Sequence, residues 1–154
     1  MTDLKKIEQV EDLGVYQAVF DLACEVERAT RKYGIDFRWL RAQVLRSSES
    51  VCANLAEGFY SQYSTEYLQA LYRCRREARE TMTHLRYSLS VHQLPETITA
   101  PLLGRYTEAL RQLGKLISSI ERKIDERGKS KARSVRRPPD DDGVETSAPR
   151  TINP

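Results

Sequence analysis

The chain has 154 residues, of which 31% are charged and 40% hydrophobic, and its formal net charge is +3. This length fits one domain with a real core and leaves little room for a multidomain enzyme. No uncharged stretch approaches the ~20 residues that span a bilayer, and the first residues lack the apolar run of a signal peptide. Three cysteines without a close pair disfavour a disulfide framework or a cysteine-based zinc site. We therefore expect a cytoplasmic protein that does not enter a membrane.

The positive charge is unevenly distributed along the chain. Residues 1–126 carry 18 basic and 18 acidic side chains, so the excess lies wholly in residues 127–154. Within the neutral part, residues 1–37 have a net charge of −3, whereas residues 38–86 have +3 and contain arginine as their only basic residue type. A phosphate-binding hypothesis must therefore rest on these local features rather than on the total charge.

The first two predicted helices lie in the first 60 residues or so. Apolar residues recur at steps of three and four over residues 12–33, the period of an amphipathic helix, and Gly34 follows as a stop signal. A second helix is predicted over residues 37–59, with Asp36 as its N-cap. Its apolar stripe is rich in small residues, which permit a close approach to a neighbouring helix.

Two further helices follow. The third is predicted over residues 65–93 with Ser64 as its N-cap, and the fourth over residues 100–126 with Thr99 as its N-cap. The apolar stripe of the fourth helix is the most regular of the four. Four amphipathic helices joined by short loops predict an all-α fold, an antiparallel up-down-up-down four-helix bundle.

Both ends of the chain are predicted to lie outside this bundle, which covers residues 12–126. Residues 1–11 form an N-terminal extension. Residues 127–154 begin with a basic run and continue through two prolines into an acidic run at residues 140–142. Such a segment buries too little apolar surface to offset its ordering entropy, so a disordered C-terminal tail is predicted.

Two groups of basic residues are candidates for binding nucleic acid, because guanidinium and ammonium groups neutralise phosphates without reading sequence. The group on the third predicted helix consists of Arg73, Arg75, Arg76, Arg79 and Arg86. The group in the predicted tail consists of Lys129, Lys131, Arg133, Arg136 and Arg137. On the third helix, Arg75, Arg79 and Arg86 share one face.

Other roles for these basic residues stay open. Salt bridges within the third helix would join Arg73 to Glu77 and Arg76 to Glu80, each pair four residues apart. Alternatively, the arginines would pair with the acidic residues 1–37 of a neighbouring subunit. The basic tail would then be a solubilising segment that its own acidic run partly neutralises.

Four tyrosines, Tyr60, Tyr63, Tyr67 and Tyr72, cluster around the second connection, close in sequence to the arginines. Exposed aromatic rings can stack on the bases of single-stranded nucleic acid. Packing at the rim of the core or at an interface is the more common role of such tyrosines, and the sequence alone favours that role.

No catalytic, metal or cofactor motif is recognisable. The chain contains no P-loop, no dinucleotide-binding glycine motif and no G-x-S-x-G turn, and it lacks the E-x-x-H pair of di-iron bundles. Cys24, Cys52 and Cys74 fall on or beside the apolar stripes and are predicted to be small core residues. We expect a protein that is not an enzyme and needs no cofactor.

Three stretches resemble the bacterial four-helix-bundle family named after 23S ribosomal RNA intervening sequences. They are VEDLGVYQAVFDLA at residues 10–23, SVCANLAEGF at residues 50–59 and EYLQALYRCRREARE at residues 66–80. The N-L-A-E-G-F stretch is the most specific of them. The same superfamily includes the accessory variability protein of diversity-generating retroelements, which is a partner of a reverse transcriptase.

The resemblance implies a homopentamer with a central channel, a role in nucleic-acid binding and no enzymatic activity. It also singles out three motif residues, for which a mainly structural role is expected: Asn54, Glu57 and Gly58. Two departures affect packing. Cys52 stands where the family has proline, so a helix kink is expected to be absent. Arg76 and Glu77 replace a Gly-Ser pair that normally permits close packing.

Together these observations predict a non-enzymatic, oligomeric accessory protein that binds nucleic acid, with RNA favoured over DNA, and that serves a reverse transcriptase in a retroelement. The alternative is an oligomeric protein-interaction scaffold in which the arginines of the third helix form salt bridges to a subunit or partner.

Overall fold

A computed structural model describes residues 5–135 of the chain. Within that range all regular structure is helical, and no strand occurs. The four helices are α1 (Gly14–Ala29), α2 (Arg38–Phe59), α3 (Ser64–Ser90) and α4 (Glu96–Val135). Short 3₁₀ turns at Val10–Asp12 and Ile35–Phe37 precede α1 and α2. The predicted four-helix bundle is confirmed.

The core lies along the centre of the bundle, where each helix contacts the one before and after it and α1 also contacts α4. Every residue of the apolar stripe predicted for α2 is buried, from Leu40 to Gly58. The largest fully buried side chain is Tyr106 of α4. Its hydroxyl has no hydrogen-bond partner within residues 5–135, and burial raises the pKa of Tyr106.

The closest helix approach joins α2 to α3. A Cβ atom placed on Gly58 would lie 2.5 Å from the Cβ atom of Ala70 and 3.0 Å from a ring carbon of Tyr67. Further along the same pair of helices, the buried Thr81 hydroxyl donates a hydrogen bond to the Ser47 hydroxyl at 2.8 Å. The small residues of α2 therefore allow contact between the two helices, as the sequence predicted.

Helix starts differ from their predicted N-caps. Asp36 lies within the 3₁₀ turn and does not cap α2, whose N-cap is Phe37. Ser64 is the first residue of α3 rather than its N-cap. Thr99 lies inside α4, where its buried hydroxyl donates to the carbonyl oxygen of Pro95 at 3.0 Å. In each case the helix begins without a hydrogen bond from a backbone N–H to the predicted capping side chain. The residue types typical of N-caps therefore did not predict where these helices begin.

Helix ends also differ from the prediction. Helix α1 stops at Ala29 because the chain turns at the buried Thr30, whose hydroxyl donates to the carbonyl oxygen of Val26 at 2.8 Å. Helix α3 stops at Ser90, and His92 adopts a left-handed conformation with φ of 61°. His92, which lies within the predicted third helix 65–93, is therefore exposed in the turn.

The predicted N-terminal extension takes part in the fold. Val10 is buried in the core, and its backbone N–H donates to the Tyr60 hydroxyl at 3.1 Å. The carboxylate of Asp12 accepts backbone hydrogen bonds from Glu8 and Gln9, and these bonds lower the pKa of Asp12. The folded domain therefore begins before the predicted boundary at residue 12.

The predicted boundary between the fourth helix and the tail, after residue 126, is wrong, because α4 continues through residues 127–135 as a fully exposed helix. Lys, Arg and Ala are good helix formers, and Lys129 lies 3.5 Å from the carboxylate of Asp125 one turn earlier. Both features extend the helix, whose tertiary hydrogen bond nearest this end joins Arg127 to Ser64. We refer to residues 127–135 as the overhang; residues 136–154 lie outside the described range.

Candidate nucleic-acid interface

The basic residues of α3 divide between two edges of the helix. One edge faces α2, where Arg73 is half-buried and its Nε–H donates to the side-chain oxygen of Asn54 at 2.9 Å. The Asn54 amide in turn donates to the carbonyl oxygen of Ser50 at 2.8 Å. Arg73 therefore belongs to a helix–helix network with a motif residue and is separated from the exposed arginines.

The other two motif residues flank this network. Gly58 permits the contact with Ala70, and Glu57 is exposed. Together with Arg73 they line an open groove of about 490 Å³ between α2 and the start of α3. The structural role expected for Asn54 and Gly58 agrees with these contacts, whereas Glu57 makes no ion pair within residues 5–135.

Two of the three acidic residues of α3, Glu77 and Glu80, contact α2 rather than the arginines of their own helix. Arg46 lies 3.3 Å from a carboxylate oxygen of Glu77 and also forms an ion pair with Glu80. Burial alone would raise the pKa of Glu80, but hydrogen bonds from Arg46 and His84 outweigh it and lower the pKa. The predicted pairs of Arg73 with Glu77 and of Arg76 with Glu80 are therefore wrong.

Arg46 was not among the candidate residues, although it belongs to the basic segment 38–86. Its position on α2 could have been predicted as facing α3 only once the register of the two helices was known. Arg46 pairs with both acidic residues on the second half of α3, and no arginine of that helix forms an ion pair within residues 5–135.

Four arginines of α3 form what we call the arginine face: Arg75, Arg76, Arg79 and Arg86. Arg76, Arg79 and Arg86 are exposed, and none of the four lies within 4.0 Å of a carboxylate in the part of the chain that the structure describes. The Arg75 guanidinium lies 5.2 Å from the centre of the Tyr72 ring. The face therefore presents four uncompensated positive charges.

The α4 side of this face adds little negative charge. Arg79 and Arg86 border a shallow cavity of about 360 Å³ with Met82, Thr83 and Leu110, and none of these three is charged. Further along α4, Glu121 accepts a hydrogen bond from the Tyr72 hydroxyl at 2.6 Å. A phosphate could approach Arg79 and Arg86 without meeting a carboxylate there.

The second candidate group lies on the overhang. Arg127 marks the end of the bundle, because its guanidinium donates to the Ser64 hydroxyl at 3.4 Å. Lys129, Lys131 and Arg133 follow on exposed helix, and Lys129 is near Asp125. Arg136 and Arg137 lie outside the described residues.

The tyrosine cluster is mostly engaged in packing. The Tyr60 ring stands edge-on to Phe59 with ring centres 5.0 Å apart, and its hydroxyl accepts the hydrogen bond from Val10. Tyr67 is half-buried, and burial raises its pKa to about 12. Tyr63 is exposed, and Tyr72 lies between Arg75 and Glu121. These tyrosines do not form a continuous stacking platform.

The cysteines agree with their predicted packing role. Cys52 and Cys74 are buried, and desolvation raises the pKa of each thiol to about 12. Helix α2 continues through Cys52 without interruption. This agrees with the expectation that a helix kink is absent because cysteine stands in place of the family's proline. Cys24 is partly buried, and no disulfide occurs within residues 5–135.

Two features are absent from the described range and bear on other functions. Between residues 5 and 135, no helix has the length and apolar character needed to cross a bilayer. The same range contains no group of three or more His, Cys, Asp or Glu side chains arranged to hold a metal ion.

Comparison with known families gives a match to the model described as 23S rRNA-intervening sequence protein, over residues 11–115. The chain belongs to this family. No curated protein matches the sequence. The family match spans α1 to α3 and about the first half of α4, so it includes the arginine face and excludes the overhang. Within it, the unusual pair Arg76 and Glu77 is accommodated because Arg76 is exposed and Glu77 contacts Arg46.

Proposed function

We propose that this protein is a non-enzymatic, oligomeric RNA-binding accessory protein that contacts phosphates through its arginine face. The observation that carries the proposal is the presence of four arginines on one helix with no carboxylate within 4.0 Å among the described residues. Unpaired guanidinium groups suit two-point contacts with phosphate oxygens. The family description, which refers to ribosomal RNA, favours RNA over DNA.

The spacing of the arginines fits an extended backbone. Arg75 and Arg86 are eleven residues apart on α3, which corresponds to about 16 Å along the helix axis. At a rise of about 3.4 Å per nucleotide in one strand, this distance covers about five phosphates. Arg75, Arg79 and Arg86, which share one face of α3, can therefore each meet a phosphate along this distance.

The overhang provides a second basic element that the family match does not include. As exposed helix it extends about 12 Å beyond the bundle. A helix of this kind holds its ammonium and guanidinium groups in solvent. There they can neutralise phosphates, and few contacts with the rest of the protein have to be broken first. Its removal should weaken binding without altering the fold.

The proposal includes assembly and a partner. We place the protein in the cytoplasm as a homopentamer, the assembly that the resemblance implies, and an open apolar groove of about 430 Å³ between α1 and α2 supports association. Phe20, which lines this groove, is half-exposed. Within a retroelement, the oligomer would hold template RNA for a reverse transcriptase.

A filter-binding titration against RNA at several salt concentrations tests the proposal. Arg75→Ala/Arg79→Ala should reduce the slope of log affinity against log salt by about 1.4, because each lost phosphate contact contributes about 0.7 in a single strand. Arg28→Ala/Arg122→Ala is the matched control, since both residues are exposed and neither forms an ion pair within residues 5–135. Equal effects of the two double variants, or no binding at low salt, would refute the proposal.

The alternative is a protein-interaction scaffold in which the arginine face binds acidic side chains of a subunit or partner. One observation favours it: Glu11, Asp21 and Asp36 have no cationic partner within the described range, whereas Glu25 and Glu27 already pair with arginines. Charge reversal by Arg79→Glu would then dissociate the oligomer in light scattering. If the oligomer persists and RNA binding is lost, the scaffold hypothesis is wrong.

A further inference from the structure

An exposed aromatic pair lies at the end of the bundle where α2 begins and α3 ends. Trp39 is 54% exposed and Tyr87 is 46% exposed, and their ring centres are 5.9 Å apart with the planes inclined by 58°. Both are on helices, so their backbones are held in place. The chain covers neither ring within residues 5–135, although each has a large apolar area.

Positively charged residues flank the pair on both sides. Arg38 precedes Trp39 on α2 and Arg86 precedes Tyr87 on α3, and all four side chains are exposed. At 100° per residue, Arg38 lies toward α1 and Arg86 toward α4, with the two rings between them. We call this arrangement the aromatic row: Arg38, Trp39, Tyr87 and Arg86.

The aromatic row is electrostatically suited to an anion that carries flat apolar groups. Neither Arg38 nor Arg86 forms an ion pair with a carboxylate in the described part of the chain. Arg86 also belongs to the arginine face, so the row continues that surface toward the end of α3. Rings beside unpaired guanidinium groups are the combination by which proteins hold single-stranded nucleic acid, with stacking on bases and contacts to phosphates.

We propose that the aromatic row stacks unpaired bases, so that the preferred ligand is a single-stranded segment of RNA rather than a duplex. The inference rests on the proposed function and specifies its ligand. In a duplex the base faces are stacked inside and inaccessible to Trp39 and Tyr87, and only the phosphates meet the arginines. In a single strand the bases reach the rings while the backbone follows α3 along the arginine face.

The tryptophan content of the chain permits a direct test, because Trp39 is its only tryptophan. Its fluorescence reports contacts at this row and nowhere else. A short oligouridylate should quench the fluorescence to saturation, and a blunt RNA duplex of the same length should leave it nearly unchanged while still binding to filters. Quenching by both, or by neither while filter binding of the single strand is retained, overturns the inference and leaves phosphate binding by the arginine face intact.

Variants separate stacking from a structural effect. Tyr87→Ala should weaken oligouridylate binding roughly 5- to 150-fold, the equivalent of one lost base–aromatic stack, and Tyr87→Phe should retain most of the affinity. Tyr63→Ala, which removes an exposed tyrosine elsewhere, is the control and should have no effect. A fluorescence change that depends on protein concentration without RNA would show a second copy covering Trp39, and it would overturn the inference. If the unaltered protein binds no RNA at all, the proposed function itself is refuted.

Discussion

Replacing Gly58 with alanine is expected to destabilise the bundle although alanine is the better helix former. The added Cβ atom would lie 2.5 Å from the Cβ atom of Ala70, whereas unstrained carbon contacts lie near 3.5–4.0 Å. Because the Cβ atom of Ala70 is fixed to the backbone of α3, the contact can be relieved only if the helix moves by about 1 Å. Overpacking of this kind costs up to about 3 kcal/mol, and the gain in helix propensity returns about 1 kcal/mol.

The net effect should be a loss of about 2 kcal/mol, which lowers the melting temperature by roughly 4–8 °C. Circular-dichroism melting at one protein concentration measures it. Gly114→Ala is the matched control: nothing lies within 4 Å of its added Cβ atom, so this change should stabilise by up to about 1 kcal/mol. The double variant Gly58→Ala/Ala70→Gly should recover part of the loss. If Gly58→Ala is as stable as Gly114→Ala, the two helices are not in contact as described.

Three further predictions concern the core and its rim. Arg46→Ala should destabilise the fold by about 1–2 kcal/mol in urea unfolding, since it removes the ion pairs of Glu77 and Glu80 with α2 and leaves Glu80 only its contact with His84; a loss below ~0.3 kcal/mol would mean that these ion pairs are screened out. Tyr106→Phe should stabilise the protein by about 1 kcal/mol, because it removes a buried hydroxyl without a partner within residues 5–135; destabilisation would reveal a hidden partner. In thiol labelling at mildly alkaline pH, Cys24 should react first, because burial raises the pKa of Cys52 and Cys74 to about 12 and suppresses their thiolates; rapid labelling of all three in the folded protein would contradict the burial.

Helical periodicity was sufficient to predict the fold because it depends on local spacing. The apolar stripe of α2, which ends at Gly58, is buried as predicted, because the apolar face of an amphipathic helix packs against the core. Helix ends were less predictable. Thr99 has the residue type of an N-cap, yet α4 begins one turn earlier, directly after Pro95. A capping residue signals a permitted start, and tertiary packing selects among the permitted starts.

The candidate site was harder to predict because it depends on which helix faces which. Spacing offered Glu77 and Glu80 arginine partners on their own helix as one alternative, but their partner is Arg46, more than thirty residues away. The register between α2 and α3 decides that pairing, and periodicity carries no information on register. For the same reason the sequence did not place Trp39 beside Tyr87.

The hydrogen bond between Ser47 and Thr81 constrains how the protein can move. These hydroxyls are buried between α2 and α3 beside the Arg46 ion pairs, and the Asn54–Arg73 hydrogen bond lies about two turns further along the same two helices. A slide of one helix along the other by one turn, about 5.4 Å, would break all of these polar contacts together and leave the hydroxyls unpaired in the core. The two helices should therefore move as one rigid unit. Any shape change on ligand binding must then come from α1 or α4 shifting against this unit.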